Sequence, residues 1–521
     1  MADQTEAEIA DVVIVGAGPT GLMLAIELCL GGVAPVVLDR LPEASQIPKG
    51  NGMIGQIVTM LDYRGLLDEF RASATYCGRV PSFGFGSLTL DLSRLGSNPL
   101  HIIAIPQRRI EALLAARLQL LGGSVRRGHE LVGLECHDDF VDLQIRDSGS
   151  THRLRARYVA GCDGARSAVR KLCRIGFPGV TSGEISRIGR VRLPPSMIVP
   201  GTGAVDVPGL GRLDPFRHVP TARGGYSIAP LTALDKDAES GVYIVATREE
   251  SGDADDEQVM TLAELQDSLD RVLGATLPLT EPQWLTRTVG NSRVADRFRS
   301  GPVVLAGDAA HLFGLGGSLN SGLLDAINLG WKLAAQVGGK APAGLLDSYD
   351  TERHAAAERA LMHSRVQRLL LRGDELSLAV RDLLAELLQY PEPLRHVGEM
   401  IEASDVRYDM PGNHEAPHPL VGRLMPDITL SAEGRSTRIA DLMRTARTVL
   451  LDFTPDGRAA RTAGRWSELV TSLVAEALHQ PQPAGALLIR PDGYVCWAAQ
   501  AGDDATAGLE VALQTWCGPG S

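Results

Sequence analysis

Residues 11–40 read DVVIVGAGPTGLMLAIELCLGGVAPVVLDR, and this stretch decides the fold of the first part of the chain. The run DVVIVG is typical of a buried parallel strand and GAGPTG of a tight turn. LMLAIELCLGG predicts a helix that ends in glycines, and APVVLDR predicts a second strand. Strand, helix and strand in this order form a βαβ unit. We therefore predict an α/β fold that starts from a Rossmann-type unit.

The glycine turn in this unit predicts a dinucleotide site. Gly16 permits the tight turn, Gly18 lets the backbone approach a pyrophosphate, and Gly21 allows the helix to pack closely on the strand. The N-terminus of the helix adds free N–H groups and the positive end of its dipole. Asp39 lies 18 residues after Gly21, where an acid can bind a ribose hydroxyl pair. This pattern does not separate NAD from FAD.

Two later motifs also stand at predicted strand ends. GCDGARS (161–167) follows the strand RYVAG and precedes a helix, so Asp163 either serves a cofactor or only caps that helix. GDAAH (307–311) closes the strand PVVLA, and Asp308 can accept hydrogen bonds from a polyol such as a ribityl chain. The loop GLGGSLN (314–320) then enters a helix, with Asn320 or Ser321 as the expected N-cap. A helix N-terminus there would stabilise negative charge on a flavin.

The motifs GAGPTG…D, GCDGARSAVR and GDAAH…LN…DAINLGWKLAA, in this order, resemble the class A flavoprotein monooxygenases, the p-hydroxybenzoate hydroxylase group. The resemblance covers about residues 10–375 and includes IPQRRIEALL, where Gln107 matches a flavin-contacting Gln. It implies FAD as cofactor, with the Asp-Gly motif serving both FAD and NAD(P)H. The cofactor-binding residues predicted in this way are Gly16, Gly18, Pro19, Thr20, Gly21, Asp39, Arg40, Lys49, Gln107, Asp163, Gly307, Asp308, Ser318, Leu319 and Asn320.

Two segments depart from the family pattern. Where relatives commonly read SRA-G-x-L-H-x-R-T, this chain has PKGNGMIGQIV (48–58), so that Lys49 replaces an Arg, Ile54 a His and Gln56 a second Arg. The loop HLFGLGGSLN (311–320) lacks the family's Pro and is two residues shorter. This loop, with Gly316, Gly317 and Ser318, is predicted to face the flavin. No side chain is assigned a certain catalytic role, and no metal site is expected.

The domain organisation follows from composition and from the resemblance. We predict an FAD-binding domain from residues 1–75, 106–180 and 285–390, with an inserted mixed β-sheet for the substrate formed by 76–105 and 181–284. The Pro- and His-rich stretch 391–420 is predicted to be a linker. Residues 421–521, with a helix expected near 464–478, resemble the thioredoxin-like domain of aromatic polyketide hydroxylases. This region lacks a CxxC pair, so a structural role is expected.

The composition favours a soluble, cytoplasmic protein. The net charge of −12 argues against a nucleic-acid partner. The acidic N-terminal stretch does not resemble a secretory signal, and the most apolar early stretch is too interrupted for a membrane span. The seven cysteines have no metal-ligand spacing and are read as reduced thiols. A small aromatic molecule is the expected partner, and the protein is expected to be a monomer or a homodimer.

The expected reaction is hydroxylation of a polycyclic aromatic, polyketide-like substrate. By resemblance, NADPH or NADH reduces FAD, and O2 then forms a flavin C4a-hydroperoxide that is attacked by the substrate ring. The altered loop raises a second possibility, Baeyer–Villiger insertion or oxidative ring cleavage. A third is an FAD-dependent reductase that adds no oxygen to a substrate. His311 is interpreted as a packed, hydrogen-bonded residue rather than a proton donor.

Overall fold

The computed structural model describes residues 8–47, 50–250, 259–315, 317–411, 418–500, 502, 504 and 506–520. The helices are α1 (Pro19–Leu30), α2 (Gln56–Tyr63), α3 (Leu67–Ser73), α4 (Gln107–Leu120), α5 (Ala168–Leu172), α6 (Leu262–Leu273), α7 (Ser318–Val337), α8 (Asp347–Leu370), α9 (Glu375–Leu387), α10 (Pro391–Glu402), α11 (Ile439–Leu442), α12 (Arg458–Thr462) and α13 (Leu509–Cys517). The strands are β1 (Glu8–Val15), β2 (Val36–Asp39), β3 (Met53–Ile54), β4 (Tyr76–Arg79), β5 (Ser82–Phe85), β6 (Leu88–Asp91), β7 (His101–Ala104), β8 (Val125–Arg127), β9 (Glu130–Cys136), β10 (Val141–Arg146), β11 (Thr151–Gly161), β12 (Gly179–Arg192), β13 (Val205–Val207), β14 (Gly211–Leu213), β15 (Val219–Thr221), β16 (Gly224–Pro230), β17 (Val242–Glu250), β18 (Thr280–Val294), β19 (Arg299–Ser300), β20 (Val303–Leu305), β21 (His311–Leu312), β22 (Thr429–Ala432), β23 (Arg435–Arg438), β24 (Thr448–Asp452), β25 (Val470–Val474), β26 (Glu476–Ala477), β27 (Ala486–Ile489) and β28 (Val495–Ala499).

The main sheet has the strand order β19-β20-β11-β1-β2-β8, and the hairpin β9–β10 attaches to β11. Strands β20, β11, β1, β2 and β8 run parallel, as a βαβ origin requires. Their carboxyl ends meet at one edge, and this edge is where an open α/β sheet binds its ligands. Gly16, Asp39, Asp163 and Gly307 all follow or end these strands, so the sheet brings the three sequence motifs together.

Helix α1 lies against the main sheet and packs on the 20-residue helix α7. Both helices are apolar on most of their surface because they are covered on several sides. In the described part of the chain, no helix combines the length and the apolar character needed to cross a membrane.

A second sheet, entirely antiparallel, has the order β15-β16-β17-β12-β18-β21. Helix α6 packs on it through Leu265 and Leu269, which share an apolar cluster with Val191 and Val245. Strand β18 continues in this sheet to Val294, beyond the boundary predicted at residue 284. The boundary was predicted from a change in composition, but the end of a strand is set by its pairing with neighbouring strands, which the composition does not show.

Residues 76–105, predicted to belong to the inserted sheet, do not join the six-stranded sheet. Strand β7 pairs with β3 on one side and with β4 on the other in a separate three-stranded sheet, and β5 pairs only with β6 among the described strands. The β5–β6 hairpin packs its apolar side on Leu370, Leu388 and Leu394 of the later helical region. The alternating sequence pattern predicts these short strands correctly. Which strands pair with each other depends on the distant apolar surface on which they pack.

The predicted linker also requires a correction. Residues Pro391–Glu402 form helix α10, which buries Leu394 and starts with a proline in its first turn. A proline at this position is compatible with a helix because its missing N–H would have no intrahelical partner there. Of the remaining linker residues, 412–417 lie outside the described part of the chain.

The C-terminal region contains a four-stranded sheet, β25-β24-β27-β28, and a three-stranded sheet, β23-β22-β26. The helix predicted near 464–478 is wrong: a 3-10 turn at Ala463–Trp466 is followed by strands β25 and β26. The apolar residues Trp466, Leu469, Val470, Leu473 and Val474 have helical spacing in the sequence. Parallel pairing of β25 with β24 overrides this local pattern.

A buried ionic cluster connects this C-terminal region to helices α7 and α8. Glu352 accepts hydrogen bonds from Lys332 Nζ (2.7 Å) and from Arg490 Nη1 (2.6 Å) and Nη2 (2.8 Å). Arg490 also pairs with Asp492, and all four side chains are almost completely buried. Burial alone would raise the pKa of Glu352, but Arg490 and Lys332 lower it to about 2. The C-terminal region therefore contacts α7 and α8 through charged side chains that are almost completely buried.

Candidate active site

A cleft of about 770 Å³ follows the carboxyl edge of the main sheet. It brings together most of the residues predicted to bind the cofactor, namely Gly16, Gly18, Pro19, Thr20, Asp39, Arg40, Gln107, Asp163, Asp308, Ser318, Leu319 and Asn320, and it also includes Gly317 of the loop predicted to face the flavin. Gly21 and Gly307 are predicted residues that do not line the cleft and instead support its wall. Lys49 and Gly316 lie outside the described residues.

The three glycines of the turn after β1 are required for different reasons. Gly16 has φ of +104°, and a Cβ there would lie 2.4 Å from the carbonyl oxygen of Cys162. A Cβ at Gly21 would lie 1.9 Å from the carbonyl oxygen of Gly16. A Cβ at Gly18 would meet no protein atom within 4 Å. Gly16 and Gly21 thus hold the turn against β11, whereas Gly18 leaves room for a ligand in the cleft.

Asp39 and Arg127 form a polar pair at one end of the cleft. Asp39 Oδ2 accepts a hydrogen bond from the N–H of Ala17 (3.0 Å), and its Oδ1 accepts one from the N–H of Leu41 (2.8 Å). Arg127 Nη1 lies 3.5 Å from Asp39 Oδ2. Sequence reasoning missed Arg127. The only available signal was its place at the end of a short strand, because β8 pairs with β2 and so ends at the same edge.

Asp163 acts as a helix cap and also borders the cleft. Its Oδ2 accepts hydrogen bonds from the N–H groups of Ala168 (2.6 Å) and Val169 (3.2 Å) at the start of α5. Its Oδ1 is buried and has no hydrogen-bond partner among the described residues. A buried polar atom without a partner is costly. Asp163 can therefore both cap the helix and bind a cofactor, because one carboxylate oxygen contacts α5 and the other is free to accept a hydrogen bond from a ligand.

Helix α7 starts earlier than predicted. It begins at Ser318 after Gly317, which has φ of +90°, so the expectation that Asn320 or Ser321 is the N-cap is wrong. The left-handed conformation of Gly317 turns the chain before either residue is reached. Asn320 Oδ1 instead accepts a hydrogen bond from the N–H of Ile54 (3.1 Å). The first turn of α7 therefore borders the cleft, where its free N–H groups favour negative charge.

The loop that carries Asp308 is locked by a buried network around Asp325 of α7. Asp325 Oδ2 accepts a hydrogen bond from the N–H of Gly307 (3.0 Å) and lies 2.6 Å from His311 Nε2. Asp325 Oδ1 accepts a hydrogen bond from Arg353 Nε (2.7 Å). Burial would raise the pKa of Asp325, but His311 and Arg353 lower it to about 2. His311 is fully buried and stacked on Phe313, which agrees with the packed interpretation.

Gln107 begins helix α4 at the cleft wall. Its backbone N–H donates to the carbonyl oxygen of Gly50 (2.9 Å), and its side-chain Nε2 donates to Glu111 Oε1 (2.8 Å). Gln107, Glu111 and Gly50 all line the cleft.

These features fit an extended dinucleotide such as FAD. Asp39 and Arg127 offer polar groups at one end, and the first turn of α7 offers N–H groups at the other. The open space at Gly18 and the unpaired Oδ1 of Asp163 lie between. The site therefore combines a volume of about 770 Å³ with donor and acceptor groups that fit FAD.

Comparisons with known proteins agree with this geometry. Residues 9–364 match the family described as an FAD binding domain, and residues 418–520 match the C-terminal region of aromatic-ring hydroxylases. The chain belongs to the FAD-dependent aromatic-ring hydroxylases. It is an FAD-dependent monooxygenase, and the predicted α/β fold and family are confirmed.

Several relatives match over nearly the whole chain. The 12-dehydrotetracycline 5-monooxygenase/anhydrotetracycline 6-monooxygenase of Streptomyces rimosus subsp. rimosus is 37% identical over 98% of this chain and 99% of its own length. The rifampicin monooxygenase of Streptomyces venezuelae is 37% identical over 94% of this chain and 96% of its own length. The solved structure of OxyS anhydrotetracycline hydroxylase from Streptomyces rimosus has a TM-score of 0.85 and 36% identity, covering 98% of this chain and 100% of that one.

A second, smaller cavity of about 200 Å³ lies beside the cleft, and we call it the side cavity. Gly317 and Asn320 line both spaces, so the side cavity adjoins the first turn of α7. Its walls come mainly from α8, the end of α10 and the segment around Ile54. They include Ile54, Gln56, Phe313, Ala360, Met400 and Glu402.

Glu402 lines the side cavity and has a strongly raised pKa. Burial raises its pKa from the ordinary value of 4.5 to about 7, although the hydrogen bond from Ser404 Oγ (2.9 Å) and the charge of Arg79 act in the opposite direction. Because the folded-state pKa is raised, the neutral carboxyl group favours folding at low pH. This contribution is complete below about pH 4.5 and is lost as the pH rises through about 7.

The variant Glu402→Gln should therefore be more stable than the unaltered protein at pH 8 and little different at about pH 4.5. Gln keeps the shape of the side chain without its charge, so only the ionised state of Glu402 is removed. Scanning calorimetry at both pH values measures the two melting temperatures. Glu392→Gln, an exposed position on the same helix, is the matched control and should show no such pH-dependent gain. An equal shift at both pH values would contradict the raised pKa.

Proposed function

We propose that the enzyme hydroxylates a polycyclic aromatic, polyketide-like substrate, with NADPH or NADH as reductant and O2 as oxidant. The observation that carries this proposal is the single cleft that unites the three cofactor motifs and adjoins a second cavity with mostly apolar walls. The names of the two relatives given above place tetracycline-type and rifampicin substrates in this family. Both relatives match almost the full chain, so the substrate-binding parts are included in the likeness.

In this proposal, different residues of the cleft bind different parts of FAD. Gly18 and the N-terminus of α1 hold the pyrophosphate, Asp39 and Arg40 contact the adenosine ribose, and Asp308 contacts the ribityl chain. The first turn of α7, which lines the cleft, would hold the flavin end of the cofactor. The wall is completed by Gly16, Pro19, Thr20, Gln107, Asp163, Ser318, Leu319 and Asn320, with Gly21 and Gly307 supporting it.

Bound FAD supplies the redox chemistry, taking hydride from NAD(P)H and activating O2. The chain's own task is to hold the flavin, to exclude water and to orient the aromatic ring. The N–H groups at the start of α7 stabilise negative charge that develops on the flavin's pyrimidine edge. A phenolic ring is nucleophilic enough to react without an obligatory protein base.

We further propose that the six-stranded sheet covers the substrate side of the cleft and that residues 421–521 form a thioredoxin-like domain with a structural role. The extensive contacts of the C-terminal region support such a role, because Arg490 enters the buried cluster on α7 and α8. A redox role has no support from the cysteines of this region, Cys496 and Cys517, which are both buried.

Baeyer–Villiger insertion or oxidative ring cleavage is the second candidate, and the shortened loop 311–320 favours it. This loop borders the cleft through Gly317 and the side cavity through Phe313 and Leu315. A change of two residues there alters where a substrate can lie relative to the flavin. A carbonyl carbon rather than a ring carbon could then become the nearest reacting atom.

The proposed function is tested by oxidation of anhydrotetracycline and rifampicin with the FAD-loaded protein under ¹⁸O₂. NADPH and NADH are supplied in separate reactions, and products are analysed by mass spectrometry and NMR. One ¹⁸O atom in a new phenolic hydroxyl supports hydroxylation, whereas ¹⁸O in a lactone or an opened ring supports the second candidate. NAD(P)H consumption without ¹⁸O in any product would overturn both and would favour a reductase. The relative rates with NADPH and NADH decide the reductant.

A further inference from the structure

The departures from the family pattern converge on the side cavity. Ile54 and Gln56, which the resemblance matches to a His and an Arg of the family pattern, both line this cavity. Phe313 and Leu315 come from the shortened loop and also line it. Segments more than 250 residues apart thus differ from the family at one place in the fold.

The wall of the side cavity is held in place by contacts behind it. Gln56 Oε1 accepts a hydrogen bond from Tyr494 OH (2.9 Å), and the N–H of Ile54 donates to Asn320 Oδ1 (3.1 Å). Phe313 stacks on the buried ring of His311, with centroids 4.9 Å apart. A cavity with walls fixed in this way is ready to bind a ligand without the cost of ordering its side chains.

The charges around the side cavity are balanced except near Glu402. Arg359 Nε donates to Asp405 Oδ2 (2.8 Å), and Arg353 is paired with Asp325. The ring of His363 stacks on Phe85, with centroids 5.2 Å apart, and burial lowers the pKa of His363 to about 4, so it is neutral at physiological pH. Glu402 is a largely buried carboxyl group at the same wall, with a single short hydroxyl contact from Ser404. It is therefore the group best placed to bind a polar substituent on an otherwise apolar ligand.

The size of the side cavity selects the ligand class. A dry cavity of about 150 Å³ is known to hold benzene. A cavity of about 200 Å³ with both apolar and polar wall residues accommodates one aromatic ring with a substituent, or a small fused pair. Since Gly317 and Asn320 border both spaces, a ring in the side cavity lies directly beside the flavin-facing turn.

We propose that the side cavity binds a hydroxylated terminal ring of the aromatic substrate, with Glu402 as the hydrogen-bond partner of the ring hydroxyl. The inference rests on the proposed function for the identity of the substrate, but not for the existence of the binding site. Ile54, Gln56 and Phe313 set the shape of the ring that fits, and Glu402 orients it. Glu402 is thus a specificity-determining and positioning residue.

The test is binding of 1-naphthol and naphthalene to the FAD-loaded protein, measured by calorimetric titration without NAD(P)H. Ala360→Leu adds bulk to the side-cavity wall on α8 and should weaken 1-naphthol binding at least about tenfold. Ala355→Leu, on the exposed face of the same helix, is the matched control and should leave the affinity unchanged. Equal affinities in the two variants would overturn the proposal.

Glu402→Gln is the second variant, and its similar size protects the fold. At pH 8, where Glu402 is ionised, the unaltered protein should prefer 1-naphthol over naphthalene, and Gln should reduce this preference by roughly tenfold because a charged hydrogen bond is lost. An unchanged preference would show that Glu402 does not bind the ring hydroxyl. Flavin absorbance and melting temperature confirm that each variant is folded. Since no turnover is needed, failure of these titrations is distinguishable from failure of the ¹⁸O₂ experiment.

Discussion

A Gly18→Ala variant should keep its fold and lose FAD affinity by at least about 100-fold. Gly18 has φ of −74° and ψ of −177°, a conformation that alanine adopts without strain. The added methyl group meets no protein atom within 4 Å, so it enters the cleft. There it occupies the space through which the pyrophosphate approaches the backbone N–H groups of the turn. As the N-cap of α1, alanine costs at most about 1 kcal/mol of stability.

Fluorescence titration of the apoprotein with FAD measures this loss, and thermal unfolding checks the fold. Gly149→Ala is the matched control, because Gly149 also has an open Cβ position but does not line the cleft. Gly21→Ala, in contrast to Gly18→Ala, should also lower the stability of the fold. Its Cβ would lie 1.9 Å from the carbonyl oxygen of Gly16, so the turn itself must distort. Normal FAD affinity in the Gly18→Ala variant would show that the cofactor does not approach this turn.

The second large effect is expected from Glu352→Ala, which should lower the free energy of unfolding by about 3–5 kcal/mol. Glu352 accepts hydrogen bonds from Lys332, Arg490 and Asn328, and each of these is buried. Its removal leaves the buried ammonium group of Lys332 without its ion-pair partner, and leaves Arg490 and Asn328 with Asp492 as their remaining acidic partner. The cost of this change is therefore much larger than the value of an exposed salt bridge. Chemical denaturation at saturating FAD measures it.

The difference in the free energy of unfolding between the unaltered protein and the Glu352→Ala variant should also depend on pH. The pKa of Glu352 is about 2 in the folded chain against an ordinary value of 4.5. Because the folded-state pKa is lowered, the stabilisation is complete above about pH 4.5 and is lost as the pH falls towards 2. Glu358→Ala, at an exposed position of the same helix, should change stability by no more than about 0.5 kcal/mol. A similar loss in both variants would mean that the buried cluster contributes nothing special.

Sequence reasoning succeeded where one short segment contains the whole physical cause. The turn at Gly16–Gly21 needs only its own glycines, and the strand before it and the helix after it have clear periodicity. The positions of Asp308 after β20 and of Asp163 before α5 were also predicted from short segments, while their contacts with a cofactor stay a prediction. It failed at the start of α7, where Gly317 turns the chain earlier than the best capping residues suggest. It also failed at residues 470–474, where pairing with a neighbouring strand overrides a helical pattern.

The missed residues of the site share a physical reason. Arg127 reaches the cleft only because β8 pairs with β2, and Glu402 reaches the side cavity only because α10 packs near α7 and α8. Neither residue belongs to a motif, so no spacing in the chain marks it. The importance of Glu352 was equally hidden, because its partners Lys332 and Arg490 are 20 and 138 residues away.

By itself, the amino-acid sequence determined the Rossmann-type βαβ unit, the order of the three cofactor motifs and, through them, the flavoprotein family. These features depend on contacts between residues that are close in the chain, and local stereochemistry is enough to specify them. Only the tertiary structure decided the partners of the short strands in 76–105, the side cavity and the buried ionic cluster. These depend on packing between distant segments, because burial changes the free energy of a charged or apolar group only after those segments have met.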